Sequence, residues 1–175
     1  MVTLPEISKT LSAHPAVRRA ETAIVRHDGR DVAIAAAELS AYASGPILRN
    51  HVRRELGEDS GLAGVLIVEH MPMTDGVVDV ASLASAVAQG RCALFEDPRD
   101  DVERRVAAIW SAQLDVRSVG VNDDFLELGG DSLSALGIIA AIETEFGRSL
   151  DVYEFMSAAS VRRLAEILRL RWSCP

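Results

Sequence analysis

Asp124-Phe125-Leu126-Glu127-Leu128-Gly129-Gly130-Asp131-Ser132-Leu133 packs a loop, a sharp reversal and a helix start into one short run. Asp123 and Asp124 open a loop in which Phe125, Leu126 and Leu128 are expected to fold inward and pin it against a helical core. Gly129-Gly130 permits backbone angles closed to other residues, so the chain can reverse there. Asp131 and Ser132 are both good N-cap residues, and Leu133 to Phe146 continues as a long apolar helix. Ser132 therefore sits at the exposed tip of a helix, where unpaired backbone N–H groups and the helix dipole favour a phosphodiester. Four residues of Gly-Gly-Asp-Ser are as readily a plain turn and cap. The apolar residues on both sides are what raise them above that.

The flanks predict further helices. Val102, Val106, Ile109, Trp110 and Leu114 recur at helical spacing, with Glu103, Arg104 and Arg105 on the opposite side, an amphipathic pattern. Val116 to Asp124 then runs as a loop into the serine. Gly147 stops the Ser132 helix, Leu150 to Met156 suggests a short third helix, and Ser160 can cap a last one with Val161, Leu164, Ala165 and Leu168 facing inward.

This pattern strongly resembles the carrier (thiolation) domain of non-ribosomal peptide synthetases, a small all-α four-helix bundle. The resemblance covers residues 99–175 and implies that Ser132 is a hydroxyl to be modified, not a nucleophile that turns over. A 4′-phosphopantetheine arm would be transferred to it from coenzyme A, with Gly130, Asp131 and Leu133 flanking the attachment point. The arm's thiol would hold an aminoacyl, peptidyl or acyl group as a thioester. The partners implied are a phosphopantetheinyl transferase with coenzyme A, an adenylation enzyme loading in trans, and condensation, tailoring or thioesterase domains.

Ahead of this region the chain changes character. Glu96-Asp97-Pro98-Arg99-Asp100-Asp101 is charged and carries a proline, so residues 91–98 read as a linker. Before it, Ala20 to Arg26 and Asp31 to Ala37 read as strands around the turn signal Asp28-Gly29. Gly64 to Val68 is a continuous apolar run, as expected of a strand buried on both faces. Helices are predicted at Glu6–Ala13, Ile47–Leu56 and Val80–Ala88, with Pro46 as a start signal. Residues 1–90 are thus a small α+β unit with a three-stranded sheet.

That unit resembles the mobile C-terminal subdomain, or lid, of adenylation enzymes. The resemblance rests on Glu6-Ile7, His14-Pro15-Ala16-Val17, the hairpin, Leu48-Arg49-Asn50-His51-Val52-Arg53, and Pro72-Met73-Thr74-Asp75-Gly76-Val77-Val78-Asp79. In that family the last stretch reads Pro-x-Thr-x-Asn-Gly-Lys-x-Asp, and its lysine offsets charge as a carboxylate attacks the nucleotide. Here Val77 takes the lysine's place, and an isopropyl group can neither donate to a phosphate nor offset its charge. Lys9 is the one lysine in the chain and lies far from this loop in sequence. The resemblance therefore implies a degenerate lid with no adenylating activity of its own. Two other roles stay open for it: completing a partner's separate nucleotide-binding core as a split enzyme, or serving as a docking adaptor.

Composition excludes other classes. The net charge is −8 over 175 residues. Residues 1–98 and 99–175 each hold thirteen acidic and nine basic side chains, so no basic stripe favours nucleic acid. No apolar run approaches the roughly 20 residues of a membrane span, and no signal-peptide pattern opens the chain, so a cytoplasmic location is expected. Cys92 and Cys174 make neither a disulfide scaffold nor a metal site. Ser132 lies in Gly-Asp-Ser-Leu-Ser, not a Gly-x-Ser-x-Gly elbow. His14, His27, His51 and His70 are scattered, with His14 expected to shape a turn beside Pro15.

Overall fold

A computed structural model describes residues 2–172; Cys174 lies outside them. The chain divides into two compact units, Met1–Leu94 and Phe95–Pro175. The division falls within the stretch expected to be a linker.

The first unit is built on a three-stranded sheet. Helix α1 (Leu4–Ser12) starts at Thr3, whose hydroxyl accepts from Glu6 N–H while the Glu6 carboxylate accepts from Thr3 N–H, a reciprocal capping box. Strands β1 (Val17–His27) and β2 (Arg30–Leu39) pair antiparallel across a two-residue turn. Asp28 and Gly29 both take positive φ there, 47° and 75°, the turn whose twist suits a hairpin. Helix α2 (Gly45–Leu56) crosses over to β3 (Leu62–Val68), which pairs parallel with β2. The order is β1-β2-β3.

The central strand is therefore β2, buried on both faces through Ala37, while β3 is buried on both faces only as far as Leu66. Ala33, Ile34, Ala35, Ala36 and Ala37 are all buried, whereas Ile67 of β3 is 37% exposed. β3 is an edge strand whose Val65 packs on the α1–α2 side and whose Leu66 packs on the α3 side, so it opens to solvent only towards its end at Ile67. Ala35 and Ala37 face Ile7, Leu11, Leu48 and Val52, while Ile34 and Ala36 face Leu83, Ala86 and Val87 of α3 (Val80–Ala88). Two cores thus lie on opposite faces of one sheet.

Among its described residues the second unit contains four helices: α4 (Asp101–Leu114), α5 (Ser132–Phe146), α6 (Val152–Ala158) and α7 (Val161–Trp172). They enclose one core that includes Val106, Trp110, Val121, Phe125, Leu128, Ile138, Ile142, Phe155, Leu164 and Leu168. Glu103 departs from its expected place on the solvent face of α4 and is only 2% exposed. It accepts from Arg99 N–H at 2.8 Å and faces Arg162 and Arg169 at 3.8 and 3.6 Å. Cationic partners make that burial tolerable.

Candidate functional site

The approach to Ser132 is a chain of backbone turns with side-chain props. Asp124 accepts from the N–H groups of Leu126 and Glu127 at 2.8 and 3.2 Å, capping a single turn. Leu128, Gly129 and Gly130 N–H groups return to the carbonyls of Asp124, Leu126 and Phe125. Phe125 N–H donates to Ala159 O at 2.9 Å, and Arg162 N–H donates to Val121 O at 3.0 Å. The α6–α7 corner thereby braces the loop at two points. Ala159 itself holds φ of 56°, a left-handed corner that leaves its carbonyl pointing at the loop.

The side chains of the loop do not all point inward. Phe125 and Leu128 are buried, but Leu126 is 58% exposed, which corrects the expectation that all three fold in. A single turn cannot aim three near-adjacent side chains the same way, and positions 125 and 128 take the inner face. Phe125 meets Trp110 and Phe155 with ring centroids 5.6 and 5.0 Å away, both edge to face. Such aromatic contacts fix orientation as well as bury area.

The two glycines serve different needs. Gly129 has φ of 86°, a conformation that side chains resist. Gly130 is not in that region. A Cβ there would fall 2.4 Å from the Phe125 ring, so it is glycine because the chain passes directly over that ring.

Asp131 is the N-cap of α5 and Ser132 its first helical residue. The Asp131 carboxylate accepts from Ser134 N–H at 2.8 Å, and Asp131 N–H donates to the Ser134 hydroxyl at 2.8 Å. Ser134 N–H, and then the Ser134 hydroxyl at 3.0 Å, donate to the Asp131 carboxylate and hold it below its usual range. Ser134, not expected at the site from sequence, thus has its hydroxyl committed to the cap; its one signal is a hydroxyl residue three places after a capping acid. The Ser132 side chain is exposed and makes no hydrogen bond among the described residues. Beside it Leu133 is 80% exposed and Leu136, one turn on, is 55% exposed. Ser132, Asp131 and Leu133 therefore share one exposed helix tip, with Gly130 as the support behind it.

A primary hydroxyl on a helix tip, free of internal partners and backed by a close-packed glycine, fits the attachment of a phosphodiester-linked arm. The first-turn N–H groups add favourable dipole. In the loop before the helix, partial burial first and then the charges of Asp124 and Asp123 push the Glu127 pKa up.

In the first unit, the Pro72–Asp79 stretch forms a small hairpin beyond the three strands expected from sequence. Strands β4 (Met73–Thr74) and β5 (Val77–Val78) flank Asp75 and Gly76, both at positive φ. Asp79 N–H closes it on Pro72 O at 2.8 Å, and the Asp79 carboxylate caps α3. Val77 stands 65% exposed beside the tip. Among the described residues no cluster of three or more His, Cys, Asp or Glu could hold a metal, and no helix is long and apolar enough to cross a membrane.

The chain is similar to several known proteins. Residues 104–168 match the family described as phosphopantetheine attachment site. Tyrocidine synthase 2 of Brevibacillus parabrevis is 33% identical over 138 aligned residues, covering 74% of this chain and 4% of its own length. N-(5-amino-5-carboxypentanoyl)-L-cysteinyl-D-valine synthase of Amycolatopsis lactamdurans is 39% identical over 97 residues, 55% of this chain and 3% of that protein. A solved McyG A-PCP structure complexed with phenylalanyl-adenylate aligns over 94% of this chain and 30% of its own, at 25% identity and a TM-score of 0.42. The chain thus spans only 3% to 4% of the length of these curated relatives. The match to the phosphopantetheine attachment site family thus falls within the second unit and includes Ser132 at its helix tip.

Proposed function

We propose that the chain tethers an aminoacyl, peptidyl or acyl group on Ser132 during non-ribosomal peptide synthesis. The observation that carries this is the placement of Ser132: first residue of α5, exposed, and held beside a capped Asp131 within the matched region. The 4′-phosphopantetheine arm, once attached, supplies the thiol that carries the group as a thioester. The protein's own residues present that hydroxyl. Asp131 and Ser134 fix the first turn of α5, Gly130 and Phe125 fix its approach, and Leu133 and Leu136 give partner enzymes an apolar surface beside it. Gly130, Asp131 and Leu133 thus surround the attachment point without reacting. The partners we assign are a phosphopantetheinyl transferase with coenzyme A, a loading adenylation enzyme, and condensation, tailoring or thioesterase domains.

Intact-mass measurement tests this. Incubated with coenzyme A, magnesium and a broad-specificity transferase, the protein should gain one phosphopantetheinyl mass and the Ser132→Ala variant none. A mass gain in that variant would overturn the assignment.

We further propose that residues 1–90 form a degenerate adenylation lid, joined by residues 91–98 to a four-helix carrier bundle at 99–175. In this reading the lid activates no amino acid and serves as an adaptor. Val77 stands where that family places its lysine, and loss of one donor to a developing charge costs on the order of 100- to 1000-fold in rate. Neither the protein nor Val77→Lys should catalyse amino-acid-dependent exchange of pyrophosphate into ATP. Exchange restored by Val77→Lys in the presence of a separate nucleotide-binding core would instead establish a split enzyme.

A further inference from the structure

Glu96 belongs, by sequence, to a solvated linker, yet it is a hub of the second unit. Its carboxylate receives Arg162 through both terminal nitrogens, Nη1 to Oε2 at 3.1 Å and Nη2 to Oε1 at 2.7 Å. Asn122 Nδ2 donates to the same Oε2 at 2.8 Å, and Val121 N–H donates to Glu96 O at 3.0 Å. Arg162 returns its own N–H to Val121 O. A fork-to-fork guanidinium–carboxylate pair is among the stronger and more directional polar contacts. Here it closes a ring in which residue 96, the head of the serine loop and the start of α7 each hold the other two.

The ring governs the loop beyond it. Val121 is fully buried, Asp123 turns back to accept from Gly120 N–H at 2.7 Å, and Phe125 N–H is anchored on Ala159 O. Phe125 in turn sets the ring over which Gly130 passes, one residue before the cap of α5. Behind Arg162, the buried Glu103 and then Arg169 and Asp100 extend the charges along α4 and α7. Position 96 is thus linked to Ser132 through two fixed loop segments and one aromatic contact.

We infer that Glu96, through Arg162, is a positioning residue for arm attachment at Ser132. It fixes the register of loop residues 121–125, and through Phe125 the seat from which α5 begins. The inference rests on Ser132 being the attachment site. Its consequence is that the stretch leaving the first unit is a working part of the carrier domain and not a passive tether.

The test uses the full chain and a phosphopantetheinyl transferase with coenzyme A, following initial rates by intact mass together with amide hydrogen exchange. Glu96→Ala should lower kcat/KM for arm transfer by about 3- to 10-fold, within the span of coupling measured for contacting pairs. Exchange should quicken at Val121 and Phe125 and stay unchanged at Ile138 and Ile142 inside α5. Glu96→Asp, which keeps a carboxylate for Arg162 and leaves Arg162 beside Glu103, should retain most of the rate that Glu96→Ala loses. An unchanged rate in Glu96→Ala overturns the inference, as does faster exchange spread evenly through α5, which would mark a merely structural role. Failure of the unaltered protein to gain mass would instead remove the reading of Ser132 itself.

Discussion

Gly130 passes over Phe125 so closely that a Cβ at position 130 would lie 2.4 Å from two ring carbons and 2.6 Å from the Phe125 carbonyl oxygen. One of those obstacles is backbone and cannot swing aside. Gly130→Ala must therefore displace Phe125 from Trp110 and Phe155 or lift the start of α5. Overpacking of this kind costs about 1–3 kcal/mol. The expected outcome is a lowered melting temperature together with slower arm transfer to Ser132. Adding Phe125→Leu, which withdraws the ring, should return part of the loss; strict additivity of the two changes would argue against this contact.

Leu133 offers the opposite case. At 80% exposure it contributes little to the core, and surface changes of this kind fall within about 0.5 kcal/mol. Leu133→Asp should leave the melting temperature and helical circular dichroism nearly unchanged while slowing arm transfer by more than about 5-fold, the scale of an interface anchor. A loss of helical signal would show the side chain to be structural.

The first unit carries a pH-sensitive contact. His14 and His51 meet edge to face with centroids 4.9 Å apart, Ala16 N–H donates to His14 Nδ1, and Arg54 lies against His51. Burial first, then the charges of His51 and Arg54, lowers the His14 pKa below 6.5. The unfolded chain therefore takes up this proton more readily than the folded one. Stability from this group is complete above about pH 6.5 and is lost as pH falls through the lowered folded value. The first unit's carboxylates with lowered values, Glu6, Glu38 and Asp79, titrate below the ordinary acid range and so below this window. Melting followed from about pH 7.5 to about pH 5 should show the first unit weakening, and His14→Gln should flatten that dependence. An unaltered slope in the variant would assign the effect elsewhere.

Cys92 should resist thiol reagents in the folded protein. Burial pushes its pKa up to about 11, partly offset by the Arg49 charge, and the thiolate is the reactive form. Cys92 also fills the space above Gly64, whose added Cβ would stand 2.7 Å from its sulfur. Because Cys174 supplies a second thiol, mapping is by peptide mass after labelling at about pH 8, near the pKa of a free thiol. The Cys92 peptide should stay unlabelled until denaturant is added; rapid native labelling would contradict the packing.

Much of the carrier site is legible in the sequence because its signals are local. Capping acids, a glycine pair and apolar flanks act within a few residues of Ser132, and the chain needs no distant partner to express them. The features that escape a sequence reading depend on neighbours remote along the chain. Leu126 looks as apolar as Leu128, and only the turn geometry sends it outward. Glu96 and Glu103 resemble solvated charges until Arg162 and Arg169, far along the chain, come to meet them. Gly130 resembles a conformational requirement, whereas its cause is the ring of Phe125. In the first unit, the apolar run in β3 is buried on both faces only as far as Leu66, and alanine-rich β2 takes the centre because its small side chains admit helices on both faces. The hairpin at Asp75-Gly76 carries an ordinary turn signal, easily overlooked beside Val77.

That alanine-rich strand has a consequence for how the first unit can vary. Ala35 and Ala37 touch only the α1–α2 side, and Ile34 and Ala36 only the α3 side. A wall this thin still separates two independent fillings, so substitutions on one side should combine additively with those on the other. The unit can then drift on the face bearing the Val77 hairpin and α3 while the α1–α2 face keeps its packing intact. A fold partitioned in this way can change one surface and retain the other.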